Sequence, residues 1–114
     1  MKKNRTLAGL PSEVSEFLTG IGHDIKLARL RRNMTQENLA EAMFTTRRTL
    51  ARLENGDPGI SMGMFCTAVY CLGRFKELQG VLSPENDYEG NLLERMRTLS
   101  RRGGLKENDD GLDF

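Results

Sequence analysis

Apolar residues recur at three- and four-residue steps through most of the first eighty positions, the period of helices with one buried side. Between residues 12 and 33 the repeating set is Val14, Phe17, Leu18, Ile21, Ile25 and Ala28. Pro11-Ser12-Glu13 reads as the turn into this segment, with Ser12 as its cap. Gly20 and Gly22 interrupt the run and mark where a short first helix would part from a second. Thr35 then caps a helix that turns Leu39, Ala40 and Met43 inward and Glu37 and Glu41 outward. Phe44-Thr45-Thr46 breaks it, and RRTLARLEN forms the next helix. Asn55-Gly56 ends that helix and Asp57-Pro58-Gly59 prevents its continuation. Ser61 caps a further helix, with Met62, Phe65, Ala68, Val69 and Leu72 expected to face in.

After Ser83-Pro84 the pattern weakens. PENDYEG is turn-like, NLLERMRTL has a brief helical period, and RRGGLKENDDGLDF has the charge and glycine content of a tail without a core. No useful length of strand-like alternation occurs, and no internal repeat. The chain therefore reads as all-α. A flexible basic arm is expected over 1–11, a helical domain over 12–82 with its informative motif at 35–55, and an extension over 83–114 with a short helix and a disordered tail.

Composition narrows the function classes. The 114 residues, 38% of them apolar, suffice for one compact core. No window approaches 18 consecutive apolar residues, so no membrane span is expected. The start, MKKNRTLAGLP, is basic but lacks the apolar run of a secretory signal, so the expected location is the cytoplasm. Cys66 and Cys71 stand five apart, roughly 140° around a helix, which suits neither a disulfide nor a shared metal. His23 is the only histidine. Neither a Ser/His/Asp nor a Cys/His arrangement appears, so no catalytic, metal or cofactor site is expected, and the chain does not read as an enzyme.

The net charge of +1 hides an uneven distribution. Residues 1–10 carry +3, residues 21–56 carry seven Lys/Arg against four acids (7 − 4 = +3), and residues 57–100 carry four against six (4 − 6 = −2). In the helix beginning at Arg47, Arg48 lies about 100° and Arg52 about 140° around the axis, with Leu50 and Leu53 on the other side. Such a helix buries its leucines and presents three guanidiniums. Arginines at the N-terminal end of an exposed helix suit the major groove, where a guanidinium fork engages guanine O6 and N7.

TQENLA followed by TTRRTLARLENG resembles the lambda-repressor-like, XRE-type helix-turn-helix proteins, over about residues 21–73. The matching residues are Thr35-Gln36, Leu39-Ala40-Glu41, Thr45-Thr46 and Leu53-Glu54-Asn55-Gly56. The resemblance implies a compact five-helix DNA-binding domain, with DNA-binding positions at Thr35, Gln36, Thr46, Arg47, Arg48, Thr49, Arg52 and Asn55. Gln36 would set its helix on the phosphate backbone and buttress the reader helix. Thr46 would cap the reader helix, Arg47 and Arg48 would read bases, Thr49 and Arg52 would reach bases or phosphates, and Asn55 a phosphate. Arg29 and Glu54 resemble a semi-buried ion pair of the family. Two positions depart from the pattern: Phe44 stands where glycine is usual, and Met62 where some phage repressors place a minor-groove arginine.

A looser resemblance, carried by ENGDPGISMG and SPENDYEGNLLERMRTLSRR, is to HipB-like regulators encoded beside HipA-like kinase toxins. It implies an antitoxin-type repressor that binds its own palindromic operator and a kinase partner. Specificity on double-stranded DNA normally takes two copies, so a homodimer is expected. Tyr70, Phe75, Leu78, Val81 and Leu82 would either form its surface or close the monomer core. A stand-alone phage-type repressor, a restriction-modification controller and a protein-interaction module are the other readings.

Overall fold

The computed structural model describes residues 9–102. The basic arm with Lys2, Lys3 and Arg5, and the tail beyond Arg102, lie outside the described residues. Five α-helices follow in order among the described residues: α1 (Ser12–Arg31), α2 (Gln36–Ala42), α3 (Arg47–Glu54), α4 (Met62–Cys71) and α5 (Tyr88–Arg102). Single 3-10 turns occupy Phe75–Leu78 and Pro84–Asn86, and no strand occurs among the described residues. The chain divides into two compact units, one ending at Gln79 and the other beginning at Gly80.

In the first unit α1 runs unbroken for 20 residues, past both glycines expected to divide it. The reason lies in packing. A Cβ on Gly22 would sit 2.7 Å from the carbonyl oxygens of both Leu53 and Glu54 and 2.9 Å from the Gly56 nitrogen. Gly56, with φ +77°, meets the Leu18 carbonyl and Thr19 backbone at 2.7 Å in the same way. Two glycines thus let α1 cross the end of α3 backbone against backbone, and Gly22 is a contact surface rather than a break. Gly22→Ala is expected to destabilise the unit by about 2 kcal/mol, as overpacking against backbone does. Urea denaturation checks this, and an unchanged midpoint would mean that the crossing relaxes freely.

The first turn of α1 also differs from expectation. Pro11, not Ser12, occupies the cap position, and its carbonyl accepts the Val14 and Ser15 amides at 3.0 and 3.1 Å without any side-chain cap. Only the C-terminal part of the apolar stripe is buried: Ile25 and Ala28 enter the core, whereas Val14 and Phe17 remain exposed.

All four helices described in this unit stop by one device. The amide three positions past the last helical residue bonds back five residues and the preceding amide bonds back three, the paired bonds of the Schellman motif. The bonds are Met34 to Arg29 and Asn33 to Leu30, Thr45 to Ala40 and Phe44 to Glu41, Asp57 to Arg52 and Gly56 to Leu53, and Arg74 to Val69 and Gly73 to Tyr70. The residue at the turning point takes positive φ each time: Asn33, Phe44, Gly56 and Gly73. Asparagine and glycine suit that conformation; phenylalanine does not. Phe44, at φ +57°, therefore holds a strained backbone with its ring 96% exposed. Phe44→Gly is expected to raise stability by about 1 kcal/mol, the left-handed penalty less the extra freedom of glycine in the unfolded chain. A rise in the thermal midpoint measures it.

The core gathers Ile25 and Ala28 of α1, Leu39 and Ala40 of α2 with Met43, Leu50 and Leu53 of α3, and Ala68 of α4 with Leu72. Leu39 and Leu50 are fully buried. On α4, Phe65, Ala68 and Leu72 define the inward side, and Met62, expected to join them, is exposed. It lies about 80° around the axis from Leu72. Tyr70 stays exposed and meets Phe75 edge-on, ring centroids 6.1 Å apart. Tyr70, Phe75, Val81 and Leu82 are thus left outside the core; only Leu78 of that group is half-buried.

In the second unit, Asp87 Oδ1 accepts the Gly90 amide at 2.8 Å and its carbonyl accepts the Asn91 amide at 2.9 Å. This side-chain cap starts α5 at Tyr88, ahead of the periodic segment NLLERMRTL, and the helix continues through Arg102. Glu89 in its first turn and Arg101 and Arg102 in its last suit the helix macrodipole at both ends.

Candidate nucleic-acid interface

The site is the pair α2 and α3 with the tight turn between them. Thr35 Oγ1 accepts the Asn38 amide at 3.0 Å, and Asn38 Oδ1 accepts the Thr35 amide at 3.0 Å. This reciprocal box starts α2, with asparagine in the place more often held by Glu or Gln. Thr46 Oγ1 accepts the Thr49 amide at 3.1 Å and starts α3. The two threonine hydroxyls are also 3.1 Å apart, so Thr49 shares in the cap.

Leu50 and Leu53 fix the buried side of α3, and Glu54 fixes its end. Arg29 Nε donates to Glu54 Oε2 at 2.7 Å and Arg29 Nη2 to Glu54 Oε1 at 3.1 Å, a two-pronged pair with both side chains buried. Arg29 Nη1 also donates to the Met34 carbonyl at 2.9 Å, at the turn into α2. Gln36 Nε2 donates to Glu54 Oε1 at 2.9 Å. One carboxylate thus joins α1, the first residue of α2 and the last of α3. Gln36 buttresses α3 through Glu54, a link for which its spacing in the sequence gives no sign.

The outward side of α3 is cationic. Arg47 and Arg48 are exposed at its first turn. Arg47 stands 3.7 Å from Glu37 on α2, both side chains well solvated, a pair too weak to hold the guanidinium in place. Arg48 has no ion-pair or hydrogen-bond partner among the described residues. Thr49 is half-buried, and Asn55, exposed, is the C-cap residue.

Arg52 differs from the other two arginines. Its Nε donates to Asp57 Oδ2 at 2.7 Å, and Asp57 Oδ1 accepts the Gly59 amide at 2.7 Å. Arg52 therefore ties the end of α3 to the loop that follows, and contact with DNA would share or break this pair. Asp57 is the residue that sequence reasoning missed. Five positions after Arg52 and across a helix stop, it lies beyond the reach of helical spacing rules.

A family model for the helix-turn-helix matches residues 25–65, from the C-terminal half of α1 to the first turn of α4. The match is to the XRE-type helix-turn-helix model and spans about a third of the chain. No curated protein and no solved structure matches the chain significantly. Helices α2 and α3 are the two helices of the matched helix-turn-helix. Among the described residues, no group of three or more His, Cys, Asp or Glu side chains could hold a metal, and no helix is long and apolar enough to cross a membrane.

Proposed function

We propose that this helix-turn-helix protein is a sequence-specific transcriptional repressor that binds a palindromic operator as a dimer, with α3 lying in the major groove. One observation carries the reading. A helix whose inner side is fixed by two buried leucines and a three-way carboxylate link presents Arg47 and Arg48 at its N-terminal end, one loosely paired and one without a partner among the described residues. Rigid backing with uncommitted guanidiniums is what bidentate base reading requires. Arg47 and Arg48 read base edges; Thr35, Gln36, Thr46, Thr49 and Asn55 lie along the helix ends where amides and small polar groups take phosphates. Arg52 has a supporting role through Asp57.

The biological setting that the sequence supports best is a HipB-like antitoxin, which represses its own operon and engages a HipA-like kinase toxin. Selection of binding sites from random DNA, followed by footprinting, tests the repressor reading. Two half-sites about 34 Å apart, or a multiple, are expected, with affinity falling steeply as salt rises. Co-purification with the product of the adjacent gene tests the antitoxin reading. A bound kinase-fold protein is expected there; a footprint without any such partner leaves a stand-alone repressor.

A further inference from the structure

Helix α5 carries Tyr88, Leu92, Leu93, Met96 and Leu99, each more than half exposed. At 100° per residue, Tyr88, Leu92, Met96 and Leu99 fall within an arc of roughly 80°, with Leu93 about 60° beyond. Their spacing of four, four and three is the seam of a pairing helix. The charges are divided along the axis as cleanly as the apolar residues are around it. Residues 84–94 hold Glu85, Asp87, Glu89 and Glu94 and no base (0 − 4 = −4), whereas residues 95–102 hold Arg95, Arg97, Arg101 and Arg102 and no acid (4 − 0 = +4).

We propose that α5 is a self-complementary pairing helix, through which two copies of this chain dock antiparallel. Each acidic half then lies along the basic half of the other copy, whereas parallel pairing would set acid against acid. Placing Met96 opposite Leu92 of the second copy brings Arg102 level with the Glu85-to-Asp87 stretch of that copy. The same charge division agrees with the macrodipole of the single helix, so α5 is favoured before pairing, and the apolar stripe is what pairing satisfies. Five side chains from each copy give a contact of roughly 1,200 Å², at the low end of specific interfaces. A modest dimer of this kind is completed on DNA, where one bound copy raises the effective concentration of the other. The inference rests on the dimeric repressor reading for its purpose; the surface itself does not depend on DNA.

Sedimentation equilibrium of the full chain tests it. At about 0.1 mM, well above a micromolar dissociation constant, the expected mass is twice 12.9 kDa. The L92D/M96D variant is expected to sediment as a monomer while keeping its affinity for a single half-site, which reads the DNA-binding surface separately. A second pair of variants uses charge alone. Replacing Arg97, Arg101 and Arg102 with Glu in one chain, and Glu85, Glu89 and Glu94 with Lys in another, should leave each monomeric, and mixing them should restore the dimer. A wild-type monomer at that concentration, its α5 covered by its own chain or reserved for another protein, overturns the proposal. A dimer that survives L92D/M96D, or a mixture that stays monomeric, does the same.

Discussion

Glu54→Ala should lower the stability of the first unit by about 3–5 kcal/mol, the usual cost of removing one partner of a buried ion pair. The substitution leaves the buried Arg29 guanidinium with only the Met34 carbonyl, and Gln36 without its acceptor. In a domain of this size such a loss moves the thermal midpoint by on the order of 20 °C. Thermal and urea unfolding measure it directly. The double change Arg29→Met with Glu54→Leu should be milder than either single change, because it removes both charges and fills the space with apolar volume. The cycle also separates scaffold from contact. If Glu54 only holds α3 in place, affinity for DNA should stay within a few-fold at temperatures where the variant remains folded. A large loss of affinity in the folded variant would make Glu54 part of the interface.

Arg48→Ala should weaken binding to the specific operator by roughly 1–3 kcal/mol and relax the preference at one base pair. Arg48 has no partner among the described residues, so its removal breaks nothing inside the protein and the unfolding midpoint should barely move. The measurement is fluorescence anisotropy on the operator, on single-base variants of it and on unrelated DNA. Equal weakening on every sequence, with a smaller salt slope, would reduce Arg48 to a phosphate contact. Arg52→Ala offers the contrast. Its guanidinium is already bound to Asp57, so its loss should disturb the loop after α3 and lower stability together with affinity.

How far the site was legible depended on how far apart in the chain its parts lie. Thr35 and Thr46 each accept an amide three residues on, and the order of residue types announces such caps. The outward set of Arg47 and Arg48 against the inward set of Leu50 and Leu53 follows from helical pitch alone. The pairing of Arg29 with Glu54 spans 25 positions, and only resemblance to a family pointed to it; nothing in the spacing does. Gly22 was misread because a glycine within an apolar period normally weakens a helix. Here the missing side chain is what α3 packs against, and no local rule contains α3. Met62 was placed inward because it shares the period of α4, yet a period fixes relative angles and not which arc the neighbours cover.

The sequence by itself determined the capped starts of α2, α3 and α4 at Thr35, Thr46 and Ser61, the stop of α3 at Asn55-Gly56, the cationic outer side of α3 and the division of charge along α5. All of these rest on interactions within about one helical turn, or on composition. The tertiary structure decided which apolar residues are buried, that Gly22 and Gly56 bring α1 against the end of α3, and that Glu54 binds both Arg29 and Gln36. It also decided that Arg52 is held by Asp57 while Arg48 has no partner among the described residues. Those outcomes depend on surfaces that meet only after the chain has folded, where sterics and desolvation, rather than local propensity, select the contacts.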